Sequence, residues 1–196
     1  MIRAVFFDVG ETLVNEARWW AELAARVGVE AHVIWAAVGA VVDRGERHSL
    51  AWELLGVERP TDVGFEGADL YEDAEPCLRR LRREGYFVGL AGNIGRPIEP
   101  FVERFGLEVD FAAASHTIGA EKPSPRFFER LLEEVDAAPG EVAYVGDRVD
   151  NDVVPAAAAG MVAVHIRRGP WGYLHESPIT AFRIRSLDEL PQVLGV

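Results

Sequence analysis

The chain has 196 residues, the size of one domain or of one domain carrying an insertion. With 49% hydrophobic and 27% charged residues it reads as a globular protein, which excludes a disordered or fibrous chain. Its 20 basic residues stand against 32 acidic ones, and the net charge of −12 argues against nucleic acid or an anionic membrane as a partner.

Residues 2–7 form an apolar, β-forming run that stops at Asp8, so they read as a buried strand that delivers Asp8 into a loop. The same aspartate ends the run too early for a signal peptide. From residue 15 to about 55 the periodicity is helical. Trp19, Trp20, Leu23 and Val27 recur on one face, and Ile34, Trp35, Val38, Val41 and Val42 on another, followed by Trp52, Leu54 and Leu55. The tryptophans are expected in a core. Residues 59–64 then read as a loop.

Beyond that point strand and helix alternate. A helix over 72–84 precedes a strand at 86–91, and a helix over 97–105 precedes a short strand at 111–114. A helix capped by Ser124, with Pro125 in its first turn, runs to about 135. A strand at 142–145 leads to a helix through 156–159 that Gly160 closes, and a strand follows at 161–166. A Gly/Pro/Trp loop at 169–172, a weak strand at 182–184 and a helix over 187–194 complete the chain. This alternation predicts an α/β fold with a doubly wound parallel sheet and an all-helical insertion after the first strand. The longest apolar stretch, 153–166, is broken by Pro155, Gly160 and His165 and is too short for a membrane span. Cys77 stands alone and can make no internal disulfide, so the expected compartment is the cytoplasm.

Sheets of this kind bind ligands beyond the carboxyl ends of their strands. Asp8, Gly92-Asn93, the stretch before Lys122, and Asp147 all fall at such positions. Asp8, Asp147 and Asp152 gathered there would repel one another without a cation, and their hard oxygen ligands suit Mg²⁺. Asp150, Asn151 and Asp152 are also residues that cap a helix, a duty compatible with support of a metal. Lys122 is the one lysine among 20 basic residues, and Pro123 and Pro125 hold its segment out of helix. A compact ammonium among carboxylates suits a phosphoryl oxygen. Gly92-Asn93 reads either as a turn or as a donor of backbone N–H groups and the Asn amide to phosphate. None of His32, His48, His116, His165 and His175 has metal-type spacing. The absence of Gly-x-Ser-x-Gly, a P-loop and paired cysteines leaves serine hydrolases, P-loop enzymes and zinc sites without support.

The run Phe6-Phe7-Asp8-Val9-Gly10-Glu11-Thr12-Leu13, then Lys122-Pro123, Val145-Gly146-Asp147 with Asn151-Asp152, and Ala159-Gly160-Met161, resembles the haloacid dehalogenase-like hydrolase superfamily over nearly the whole chain. The resemblance implies a Rossmann-like core of residues 1–13 and 76–196 and a small helical cap at 14–75. It implies that Asp8 is a nucleophile forming an aspartyl-phosphate. It further implies Mg²⁺ held by Asp8, the Gly10 carbonyl and Asp147, with Asp152 supporting, and Lys122 neutralising charge at the phosphoryl group.

Two positions depart from the family pattern. Gly10 stands where its phosphatases carry a second aspartate as general acid and base, and Glu11 is one residue out of phase with that position. Gly92 stands where a Ser or Thr is usual, which leaves Asn93 and backbone amides to meet phosphate. The expected activity is that of a Mg²⁺-dependent phosphatase or phosphotransferase on a small phosphorylated metabolite. Two alternatives remain open. A phospho-ligand-binding protein with little turnover would fit Gly10 and Gly92. A metal-independent haloacid dehalogenase would not need the acidic pair Asp147 and Asp152. Phosphonate cleavage through a Schiff base would require a lysine in the cap, and the cap has none.

Overall fold

The computed structural model describes residues 1–195 except Asp62, Gly95, Arg96 and Ile179. The loop expected at 59–64 therefore falls outside the described residues at Asp62. Six strands form one parallel sheet: β1 Ala4–Phe7, β2 Phe87–Gly92, β3 Phe111–Ala114, β4 Val142–Gly146, β5 Val162–Ile166 and β6 Phe182–Ile184, in the order β3-β2-β1-β4-β5-β6. Every residue of β1 and β4 is buried, as expected for central parallel strands covered on both faces by crossover helices. The order reverses at β1. Ala4 pairs with Phe87 on one side and with Val142 on the other, so the loops after β1 and β4 diverge from neighbouring strand ends. That divergence opens a crevice at the carboxyl edge.

The chain forms two compact units, Met1–Val14 with Leu70–Val196, and Asn15–Asp69. In the sheet-bearing unit the helix Pro125–Glu133 buries Phe127, Phe128 and Leu131 in a cluster with Phe6 and Tyr144. The Asn15–Asp69 unit holds the helices Ala17–Arg26, Ala31–Asp43 and Leu50–Leu55. Trp19, Trp20 and Trp52 are buried there, and Trp20 stacks on Trp52 with ring centroids 5.8 Å apart. Residues 70–75, expected in the insertion, belong with the sheet. Val14 bridges Leu70, and the Tyr71 amide donates to the Leu13 carbonyl at 2.9 Å, which ties the returning chain to the outgoing one.

Other expectations shift for identifiable reasons. The stretch expected as a loop at 169–172 is the helix Gly169–Leu174. Pro170 occupies its first turn, where a missing N–H costs nothing, and Trp171 is buried. A short helix, Ser115–Ile118, follows β3 where no element was expected. Ser124 does precede the helix Pro125–Glu133, but its side chain makes no capping bond. A wide helical turn, Val149–Val153, runs into the helix Val154–Ala158, so the helical path begins directly after the β4 loop. Among the described residues no single helix is long and apolar enough to cross a membrane.

Candidate active site

β1 carries Asp8 at its carboxyl end, and the Asp8 amide donates to the Val145 carbonyl of β4 at 2.9 Å. That bond sets Asp8 beside Asp147, which follows β4. The turn Val149–Val153 then carries Asp152 back to the same edge. Each of the three aspartates offers an oxygen within 4.8 Å of the others; Asp147 and Asp152 are buried and Asp8 is partly buried.

Lys122 enters from the segment before the helix Pro125–Glu133. Its Nζ donates to Asp8 Oδ1 at 2.7 Å and to Asp152 Oδ1 at 2.5 Å. The other Asp152 oxygen accepts from the Arg148 amide at 3.0 Å. Burial alone would lower the Lys122 pKa, but the charges of Asp152 and Asp8 outweigh it and hold the ammonium well above its usual value. Burial pushes the Asp152 carboxyl up against the pull of Lys122. The ammonium faces the rings of Tyr144 and Phe127, 5.5 and 5.9 Å from their centroids. Burial keeps the Tyr144 phenol protonated, and it donates to the Ala91 carbonyl at 2.8 Å.

Asn93, expected to meet phosphate, also engages the lysine segment. Its Nδ2 donates to the Lys122 carbonyl and its Oδ1 accepts from the Lys122 amide, each at 2.8 Å. The side chain expected as a phosphate donor thus clasps the lysine backbone and aims the ammonium. Gly92 ends β2 against Asp8, where a Cβ would stand 2.9 Å from Asp8 Oδ1.

Gly10 lies in the tight loop after Asp8, bridged to Val14, and is not among the glycines with positive φ. Its neighbour Glu11 is the residue in left-handed conformation, with φ 49°. The Glu11 side chain is buried and accepts from the Tyr71 hydroxyl at 2.6 Å.

His165 on β5, which lacks metal-type spacing in the sequence, is buried. Burial lowers its pKa, so the ring is neutral, and its Nε2–H donates to the Asp147 carbonyl at 3.0 Å. Sequence reasoning missed His165, Tyr144 and Asn93 as supports of the site. The available signal was a single polar side chain within each of two otherwise apolar strands, β5 and β4.

Three clustered carboxylates with all-oxygen donors fit a hard divalent cation of the Mg²⁺ class, and Lys122 alone cannot neutralise them. Asp8 and Asp147 could hold such an ion, while the two Asp152 oxygens already accept from Lys122 and the Arg148 amide.

A family model described as haloacid dehalogenase-like hydrolase matches residues 2–160. A protein of Methanopyrus kandleri named glyceraldehyde 3-phosphate phosphatase is 31% identical, over 87% of this chain and 86% of that protein. One of Methanocaldococcus jannaschii with the same name is 26% identical, over 99% and 97%. Among solved structures, the HAD phosphatase from Thermococcus onnurineus superposes with a TM-score of 0.68 at 24% identity, covering 99% of this chain and 98% of that one.

Proposed function

Because the chain belongs to the haloacid dehalogenase-like hydrolase family, we propose that it is a Mg²⁺-dependent phosphatase of a small phosphorylated metabolite, working through an aspartyl-phosphate at Asp8. The observation that carries this reading is the buried Lys122 ammonium bonded to both Asp8 and Asp152 within a three-carboxylate cluster. The names of the curated relatives support a phosphorylated substrate and make glyceraldehyde 3-phosphate the first compound to test.

Asp8 attacks phosphorus in line with the leaving oxygen, the P–O bond to the leaving group breaks, and the phosphoryl group rests on the Asp8 carboxylate. Water then attacks phosphorus and Asp8 departs as a carboxylate. Lys122 holds Asp8 in place and lies beside the non-bridging oxygens as charge builds on them. Asp8, Asp147 and the Gly10 carbonyl would hold the cation, with Asp152 fixing Lys122 behind them. When bound, Mg²⁺ supplies further neutralisation of phosphoryl charge.

Gly10 offers no side chain to protonate the leaving oxygen. Losing a positioned acid typically costs about 10²–10⁴ in rate, so the reaction should favour aryl and acyl phosphates, whose leaving groups depart as stable anions. This same feature supports the second reading, a phospho-ligand-binding protein with little turnover. Phosphate release from a panel of metabolite and aryl phosphates, with and without Mg²⁺, separates the two. Turnover that survives chelation, or halide release from haloacids, would overturn the metal-dependent phosphatase reading.

A further inference from the structure

Outside the acidic cluster, three separate stretches of the sheet-bearing unit meet around the loop that follows Asp8. Glu11 sits in that loop with φ 49°, a conformation unfavourable for a residue with a Cβ and retained only where the surroundings impose it. Among the described residues it is the one non-glycine in that region. Its amide donates to the Val14 carbonyl at 2.7 Å, and its carboxylate accepts from Tyr71 at 2.6 Å. Its side chain lies against Gly169, where a Cβ would come 2.5 Å from Glu11 Cγ.

Arg168 completes the arrangement. Its guanidinium lies over the Tyr71 ring, 4.1 Å from the centroid, and Nη1 donates to the Thr12 carbonyl at 2.7 Å. Nη2 pairs with Asp73 Oδ2, which also accepts from Ser186 Oγ at 2.7 Å and the Leu187 amide at 3.0 Å. Burial raises the Asp73 pKa, but the bonds from Ser186 and Arg168 outweigh it and hold the carboxyl below its usual value. Burial and the neighbouring Glu11 charge push the Tyr71 phenol far up, so the hydroxyl remains a donor. Only a planar fork can stack on a ring, bond a carbonyl and pair with a carboxylate at once. Buried charges are costly to keep, and none of these groups is needed for the chemistry described above.

We propose that Tyr71 and Arg168 are positioning residues: they hold Glu11 in its left-handed conformation and thereby fix the direction of the Gly10 carbonyl and of Asp8. The inference rests on the reading of Asp8 as nucleophile and Gly10 as a metal ligand. Glu11 contributes as a hydrogen-bond acceptor, and its charge takes no part in the reaction.

The test uses the full chain and four variants, Tyr71→Phe, Glu11→Gln, Glu11→Ala and Arg168→Lys. Aryl phosphate kinetics, calorimetric Mg²⁺ titration and thermal denaturation are measured on each. Tyr71→Phe removes one hydroxyl and keeps the ring under Arg168. It should lower kcat about 10-fold with KM nearly unchanged, and weaken Mg²⁺ by a similar factor, while Tm barely moves. Arg168→Lys should lose at least as much. Glu11→Ala should match Tyr71→Phe, whereas Glu11→Gln retains the acceptor and most of the activity. Wild-type kcat and Mg²⁺ affinity in Tyr71→Phe would overturn the proposal, as would a Glu11→Gln variant as impaired as Glu11→Ala. Should Arg168→Lys fail to fold, Tyr71→Phe decides. If the wild type turns over no phosphate ester, the phosphatase reading fails by itself, and the Mg²⁺ titrations still decide whether Tyr71 positions the loop.

Discussion

In the Asn15–Asp69 unit burial is aromatic. Trp20 is 1% exposed, stacks on Trp52, and meets Trp35 and Trp19 with centroids 5.7 and 5.0 Å away. Its indole N–H finds Glu16, and that of Trp19 finds the Val63 carbonyl. At the carboxyl edge of the sheet burial is ionic: Lys122 is 3% exposed and Asp152 is fully buried, and they bond directly. The aromatic cluster gains stability contact by contact, so one truncation removes a share of it. An ionic cluster is worth keeping only when complete, because deleting one member leaves the others buried and uncompensated. The first arrangement builds a scaffold. The second spends stability to hold reactive groups at fixed distances.

The sharpest way to break this contrast is Lys122→Arg. The charge is kept, but a guanidinium is larger than an ammonium closed in by Tyr144, Phe127, Asp8 and Asp152. Activity should fall by roughly 10²–10³-fold, read as kcat on an aryl phosphate. Wild-type turnover would show that the site tolerates any cation there.

Trp20→Ala should act in the opposite sense. It should cost about 3–5 kcal/mol in denaturant unfolding and leave Mg²⁺ affinity, measured by calorimetry, unchanged. Asp152→Ala should destabilise by about 3 kcal/mol and also lose activity, because stability and chemistry depend on the same bonds in the ionic region.

Gly10→Asp would restore a carboxylate at the position that lacks one. Gly10 is not among the glycines with positive φ, so an aspartate meets no left-handed strain there. Alkyl phosphate turnover should rise by about 10²-fold and narrow the gap to aryl phosphates. A variant with an unchanged ratio of the two rates would show that another group already supplies the proton.

The smallest effect concerns pH. Asp69 accepts two bonds from Arg18, at 2.7 and 2.6 Å. Burial raises its pKa, but the Arg18 bonds and the Glu66 amide outweigh it and bring the value below normal. A depressed carboxyl stabilises the fold above its unfolded pKa, about 3.9, and loses that contribution as pH falls through the lower folded value. Asp69→Asn should therefore cost about 1 kcal/mol at neutral pH, discounted for the partial exposure of Arg18, with the difference from wild type vanishing in strong acid.

Much of the site was legible because its residues sit where topology makes strand ends informative. Asp8 follows an apolar run, Asp147 follows another, and Lys122 stands out against 19 arginines. The strands at 111–114 and 182–184 were legible from the alternation of strand and helix rather than from their own composition. The Asn93 clasp was not, because it depends on a contact 29 residues away that no local pattern encodes. Arg168 and Tyr71 lie further apart still, and a basic residue after a strand looks the same in sequence whether solvated or buried. The helix Gly169–Leu174 was hidden by its own Gly and Pro, which mark a loop unless a buried Trp171 draws the turn inward.

The proposed chemistry requires that Asp8 carry the phosphoryl group. The most direct measurement is mass spectrometry of the acid-quenched protein after mixing with an aryl phosphate and Mg²⁺. One phosphoryl group is expected on the peptide containing Asp8, its accumulation favoured by the missing acid–base side chain at position 10, and none in Asp8→Asn. Phosphate release with no adduct at Asp8, and at an undiminished rate in Asp8→Asn, would contradict it.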